Sequence, residues 1–553
     1  MMELRRAYSS LNMPPSRYLL MYATPLVIAG AIVVAIFRFL IPTLLTGAFG
    51  LLIYAIPLYF FVLALIYPYM VAEGKKHQID NNIHFFITHM GVLATANIPR
   101  AEMLRLLSLK LEYGALAEET RKIFTLVDSW NMSLSEACRF IAKRTPSEIF
   151  ADFLDRFAYS MESGEDLESF LKNEQLVVMD DYGSLYRGKL YEVESMKDIF
   201  NSLMMSVIFL VIFAILMPVI TGLDPTVLMG GVLALVFFIE VSAIYFTKAK
   251  APTDPIWHAL KLETEMQRKV RKALPLSLAA CFFLTLFMLN FNFMNFPFAI
   301  ILAIGLTPLL LTGSLVAKEE EKVKRRDDSY AAFIRSLGAS ASARGGAVKE
   351  VLRHLQHHDF GPLTENIRAL YARLNLRVDD EMAWQHFSAE CGSNLIEKFS
   401  RMFVEGIKAG GKADMIGRII SDNFVRMVAL RKERYQTASS FRGLLYGLIA
   451  GMSFSLFVGV GIVNMLQGIF TNISLPEGSA GGLFKSLTDI TVNVELVSFI
   501  VLLILLLHSI SSALMIRVAD GGSYFRSYAD MVGLFWVASL VSVLSEKALS
   551  SLL

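Results

Sequence analysis

The chain has 553 residues, of which 54% are hydrophobic and only 18% charged, against roughly 25% charged in an ordinary soluble domain. A net charge of +2 gives no ground for a nucleic-acid partner. Three scattered cysteines, Cys138, Cys281 and Cys391, exclude a disulfide framework and a CxxC zinc site, and they read as small buried hydrophobes.

Taken in chain order, a basic leader with Arg5, Arg6 and Arg17 precedes an apolar run without a small-residue cleavage site, which predicts a retained first span. A spanning helix needs roughly 20 mostly apolar residues. Runs of that kind predict nine spans, at about 19–41, 44–71, 200–221, 226–247, 274–292, 296–317, 443–469, 495–516 and 529–550. Lysine and arginine collect in the leader, in 248–272 (Lys248, Lys250, Lys261, Arg268, Lys269, Arg271, Lys272) and at Arg517 and Arg526. The connections 222–225, 291–297 and 470–494 carry almost none. The positive-inside rule then places the N-terminus in the cytoplasm and the C-terminus outside. Asn472-Ile473-Ser474 in the last of these connections is a glycosylation acceptor pattern.

The expected plan is all-α: a polytopic membrane protein with two cytoplasmic helical bundles. It divides into a two-span unit (1–72), a first bundle (73–199), a two-span unit (200–247), a basic loop (248–273), a two-span unit (274–317), a second bundle (318–442) and a three-span unit (443–553). Apolar residues at helical spacing support the bundles: Phe150, Phe153, Leu154, Phe157 and Met161 in the first, Leu395, Ile396, Phe399, Phe403 and Ile407 in the second. The two segments repeat at a shift of about 246 residues. Phe153, Phe157, Ala137 and Gly164 fall on Phe399, Phe403, Ala383 and Gly410, and Phe86-Ile87 and Gly91 on Phe333-Ile334 and Gly338 after a one-residue slip.

Catalytic constellations are hard to find. Gly406 to Ala413 falls one residue short of a phosphate-binding loop, because Ala413 cannot ligate Mg²⁺ and a helix, not a strand, precedes. A glycine turn between helices explains it. His354, His357, His358 and Asp359 read as a solvated helix end, and Asp520-Gly521-Gly522 as a turn after the eighth span. The ionisable residues within spans are Arg38, Glu240 and His508; the last two lie at similar depth and are expected to share a structural hydrogen bond. No catalytic, cofactor or metal site is expected.

The two polar segments resemble the F-type domain of type II secretion and type IV pilus systems. The resemblance rests on Phe150 to Phe170 with Gly164-Glu165, on Leu395 to Ile420 with Gly410-Gly411, and on the opening helices Phe85 to Gly91 and Phe333 to Gly338. The second copy has Lys412 where the family's glycine is followed by Glu. A duplicated, many-span chain is similar to the archaeal branch, the platforms of the archaellum or of adhesive pili. The resemblance implies a platform that anchors a cytoplasmic hexameric secretion ATPase, inserts pilin- or archaellin-like subunits, and forms a homodimer in membrane lipid. A secondary transporter with cytoplasmic regulatory domains is the reading from another class.

The first polar segment carries 15 basic and 21 acidic residues, the second 22 and 17. Lys248, Arg268, Lys269, Arg271, Lys272, Lys322, Lys324, Arg325, Arg326, Arg426, Arg431, Lys432 and Arg434 gather near the membrane. They are candidates for a motor-docking ring, or alternatively for contact with anionic headgroups.

Overall fold

The computed structural model describes residues 15–40, 56–221, 225–291, 296–345, 347–472 and 493–551. Eighteen helices of eight or more residues follow one another, without a strand among the described residues. They are α1 (Thr24–Leu40), α2 (Ile56–Ala94), α3 (Arg100–Ser108), α4 (Ala115–Trp130), α5 (Leu134–Ala142), α6 (Glu148–Glu162), α7 (Leu167–Thr221), α8 (Pro225–Lys250) and α9 (Glu265–Asn290). The second half holds α10 (Phe298–Leu306), α11 (Leu309–Ala343), α12 (Val348–Leu355), α13 (Thr364–Asn375), α14 (Asp380–Cys391), α15 (Asn394–Lys408), α16 (Ala413–Asn472), α17 (Val494–Asp520) and α18 (Ser527–Ser550).

The repeat is visible in the helix starts. α5, α6 and α7 begin at Leu134, Glu148 and Leu167; α14, α15 and α16 begin 246 residues later, at Asp380, Asn394 and Ala413. Local chemistry sets these boundaries. Ser133 and Glu136 form a capping box for α5, Ser147 caps α6, and Asp379 caps α14. Gly164 and Gly410 take φ of +72° and +86° between the paired helices, a conformation that costs a side chain with a Cβ.

The longest helices join a polar half to an apolar one. α16 has 60 residues, about 90 Å at 1.5 Å per residue, and α7 has 55. Neither stops at the membrane border because neither has a proline there.

Nine spans are not reached among the described residues. Six helices are long and apolar enough to cross a bilayer: α7, α8, α9, α16, α17 and the segment holding α18. A seventh counts if α10 and α11, bent by 46°, are one span. That bend falls at Pro308, which lacks the N–H a continuous helix needs. Of the two N-terminal runs, the first contains only a shorter apolar helix, Leu20–Ile32. The second passes through residues 44–55, outside the described ones, as does most of the Asn472–Ser474 pattern and the 473–492 connection.

Contacts divide the chain into two compact units. The first comprises Met1–Ser184, Ile334–Val348 and Met402–Asn423; the second, Leu185–Phe333, Lys349–Arg401 and Phe424–Leu553. The first is built on an aromatic core in which Phe153 stacks on Phe157 at 5.8 Å, Phe157 meets Phe170 at 5.7 Å, and Phe86 stands edge-on to Phe150 at 6.4 Å. Burying each such ring contributes roughly 1.5–3 kcal/mol. In the second, Phe333, Phe387 and Trp384 form one cluster, and Phe399, Phe424 and Tyr330 another. A long apolar core on the spans includes Met204, Val211, Leu445, Met452, Leu456, Val501 and Leu505. Phe209, Phe238, Phe282 and Phe283 stay exposed on the same helices, the rings that lipid tails would cover.

Candidate functional site

The basic residues fall into two classes that the sequence did not separate. Lys248 and Lys250 sit in the last turn of α8, where cations oppose the helix dipole. α9 opens on a capping box of Thr264 and Gln267, and Arg268, Lys269, Arg271 and Lys272 follow on its first turns. All five candidates of this segment are exposed. Lys269 lies 3.5 Å from Glu265, and Arg271 pairs with Glu263. Lys248, Arg268 and Lys272 make no ion pair among the described residues.

Arg431 and Arg434, also expected on a docking ring, point inward and are 2–3% exposed. Arg431 holds Asp254 with two bonds of 2.8 Å, Asp327 at 3.0 Å and the Pro255 carbonyl at 2.8 Å. Arg434 donates to the carbonyls of Ala519 (2.7 Å), Val518 (3.1 Å) and Asp254 (2.8 Å). The first two are carbonyls at the end of α17, which a helix C-terminus leaves without partners. One turn of α16 thus ties the 251–264 connection to the end of a span. Burial alone would raise the Asp254 carboxyl, but the Arg431 guanidinium outweighs it and holds the group below its ordinary range. A docking role for these two arginines is set aside, because their charge is spent inside the protein.

A second buried network adjoins this one. Glu320, fully buried, accepts from Arg526 (2.9 Å), the Ser523 N–H (2.6 Å) and Trp257 Nε1 (3.2 Å), with Arg517 at 3.4 Å. Arg517 also reaches Asp520 at 2.9 Å and Asp530 at 3.3 Å. Gly521, at φ +76°, ends α17, and a Cβ there would lie 2.5 Å from the Arg434 guanidinium. Asp520-Gly521-Gly522 is therefore a turn in which arginines lie close to glycine backbone.

The remaining ring candidates divide accordingly. Lys324 is largely covered, with Asp520 at 3.6 Å and the Tyr435 ring 3.5 Å below it. Arg326 bonds Glu319 at 2.8 Å and the Cys391 carbonyl at 3.1 Å. Arg426 is half-buried. Lys322, Arg325 and Lys432 are exposed beside Glu319, Glu321 and Asp328. Sequence reasoning missed Asp254, Asp327, Glu320 and Asp530. Asp254, Asp327 and Glu320 meet arginines 104 to 206 residues away, so nothing local in the sequence marks them.

In the first unit, the segment that resembled a phosphate-binding loop packs against the end of α2 and the residue Thr95 that follows it. Glu405 bonds Lys110 at 2.6 Å and meets His89 Nε2 at 3.1 Å, while His89 Nδ1 bonds the Tyr113 hydroxyl at 2.9 Å. Gly406 lies against Val92, and Gly411 against Thr95 Oγ1. Asn423 donates to Thr88 Oγ1 at 2.9 Å. The glycines of this motif flatten a helix face against its neighbour. In the first copy the turn is exposed at Gly164 and Glu165, whose carbonyl accepts from Arg100 at 2.8 Å. Burial raises the Glu405 carboxyl, but the bonds and charges of His89 and Lys110 outweigh it and bring the group to about 2, from an ordinary 4.5. Such a group stabilises the fold fully above 4.5, and its contribution is lost as pH falls through about 2. An acid titration of the intact chain should show this loss, about 3 kcal/mol at most, and Glu405→Gln should lack that share of it.

Within the spans, His508 Nδ1 of α17 lies 2.6 Å from Glu240 Oε1 of α8, both fully buried. Phe200 stacks on the imidazole at 5.9 Å, and Ser512 Oγ lies 3.3 Å from Nε2. The pair inferred from equal depth is formed. The Arg38 side chain lies outside those described. Among the described residues no group of three His, Cys, Asp or Glu is placed to hold a metal ion.

Comparison with known proteins follows the same lines. The family described as Type II secretion system (T2SS), protein F matches twice, over residues 86–222 and 333–461. The chain is 37% identical over 552 residues to a protein of Methanocaldococcus jannaschii named Flagella accessory protein J, covering 98% of this chain and 97% of that one. It is 35% identical over 553 residues to a protein of the same name from Methanococcus voltae, with the same coverage. No solved structure matches. With two copies of the domain, all-helical spans and relatives similar from end to end, the chain belongs to the family of type II secretion system protein F.

Proposed function

We propose that this protein is the membrane platform of an archaellum: it anchors a cytoplasmic hexameric secretion ATPase and couples its motion to the insertion of archaellin-like subunits. The observation that carries this reading is similarity over nearly the whole chain to two flagella accessory proteins, each accounting for both domain copies and all the apolar helices. The physical character of the site supports it. The buried charged groups Arg431, Arg517, Asp254 and Glu320 are spent on ion pairs that join helices and connections, which suits a part that transmits force.

In this reading the N-terminus and both polar segments face the cytoplasm and the C-terminus lies outside. The exposed cations of 248–272 are where an acidic surface of the motor docks. Arg431 and Arg434 hold that segment in place from behind, through Asp254 and Pro255.

The test is the triple variant Lys248→Glu, Arg268→Glu, Lys272→Glu. These side chains are exposed and make no ion pair among the described residues, so surface substitution should change stability by no more than about 0.5 kcal/mol each. Recovery of the ATPase with the purified platform should fall about tenfold at low salt, and the defect should narrow as salt screens the contact. Undiminished recovery would remove the docking role from this segment. Loss of filaments on deletion of the whole gene tests the platform reading separately.

A further inference from the structure

In the second unit, equivalent residues of the two repeats touch each other. Arg187 of α7 and Glu433 of α16, 246 residues apart, are joined at 3.1 Å. They belong to a groove of about 430 Å³ lined by Arg187, Leu190, Tyr191 and Glu194 from α7 and by Glu433, Gln436, Thr437 and Ser440 from α16. At the repeat shift these are four equivalent pairs, with no lining residue left over. Farther along, Gly459 is the equivalent of Phe213, and a Cβ on Gly459 would lie 3.8 Å from Ile212 and 3.9 Å from Ile215.

These two meeting points lie about 38 Å apart along α7. Antiparallel helices can bring equivalent residues together at one crossing only. Equivalent residues that meet at both heights require parallel helices presenting the same face to each other, which is the signature of a two-fold axis running between them. A head-to-tail arrangement would set one face against a different one. Parallel repeats about an axis normal to the membrane also put both copies the same way up.

We propose that the two repeats form an isologous pair within one chain, and that the partner this α7–α16 face fits is the other half of the same molecule. One chain then supplies, between its own halves, the two-fold pairing that two copies would otherwise have to make at this face. The residues at the axis have diverged, with Arg187 opposite Glu433 and Glu194 opposite Ser440, which makes the charge pairing one-sided and favours the pair over either half with itself.

The experiment uses the full-length chain in nanodiscs, with Arg187→Cys and Glu433→Cys made singly and together. The substituted side chains are more than a third exposed, and Cys138 and Cys391 are buried. A short bismaleimide should join the two thiols of the double variant within one chain, favoured about tenfold or more over any link between chains by their higher effective concentration. The Arg187→Cys single variant should give no covalent dimer. Failure of the double variant to cross-link within one chain, or a covalent dimer from the single variant, would each overturn the proposal. None of these outcomes depends on the motor, so this test can fail while the platform reading stands.

Discussion

Replacing Arg431 by alanine is expected to destabilise the protein by about 3–5 kcal/mol, because it leaves two buried carboxylates facing each other without their cation. Asp254 and Asp327 are 7% and 4% exposed, and Arg431 supplies both with bonds of 2.8–3.0 Å. The loss also frees the Pro255 carbonyl and removes one of the two arginines that hold the 251–264 connection. Thermal unfolding of the purified chain in detergent measures the effect. Lys432→Ala is the control: its ammonium is exposed beside Asp328 at 2.8 Å, and surface pairs of that kind contribute about 0–1 kcal/mol. Asp254→Asn in the Arg431→Ala background should recover part of the loss. Equal effects of Arg431→Ala and Lys432→Ala would show that the clamp is not what holds this region.

Gly338→Ala is expected to cost more than Gly91→Ala, although the two glycines occupy matching places in the repeat. A Cβ on Gly338 would run into the Ala413 carbonyl and lie 3.0 Å from the Gly417 Cα, so two backbones would have to separate. A Cβ on Gly91 would meet only the end of the Gln175 side chain, which can turn away. Overpacking of a close helix contact costs about 1–3 kcal/mol, and the Gly338 variant belongs at or above the top of that range. Proteolytic susceptibility of the intact chain near 334–348 is a direct readout. Equal susceptibility in the two variants would contradict the account of this contact.

What was legible in the sequence and what was not divides along physical lines. Helical spacing of Phe150, Phe153, Leu154 and Phe157 marked a core face, and all four are buried. Met161 and Ile407, at the ends of their patterns, are half-buried, as expected where a helix leaves its core. Equal depth within the bilayer was enough to pair Glu240 with His508, because an isolated charge there has few alternatives. Arg431 and Arg434 were misplaced because charge counting sees signs but not partners. Asp254 and Asp327 lie 177 and 104 residues away in sequence, and nothing local marks them as the other half of a clamp. The near-match to a phosphate-binding loop had a similar origin. Glycine permits close approach of any neighbour, and here the neighbours are Val92 and Thr95.

Accessibility from the two sides of the membrane tests the central claim, that both repeats stand in the cytoplasm as parallel copies. Ser163→Cys and Lys412→Cys place a thiol on the exposed turn of each copy, and Lys485→Cys places one in the connection expected outside. With an impermeant maleimide, the first two should react only in inverted vesicles and the third only in right-side-out ones. Reaction of Ser163→Cys and Lys412→Cys from opposite faces would contradict the parallel arrangement and, with it, the platform.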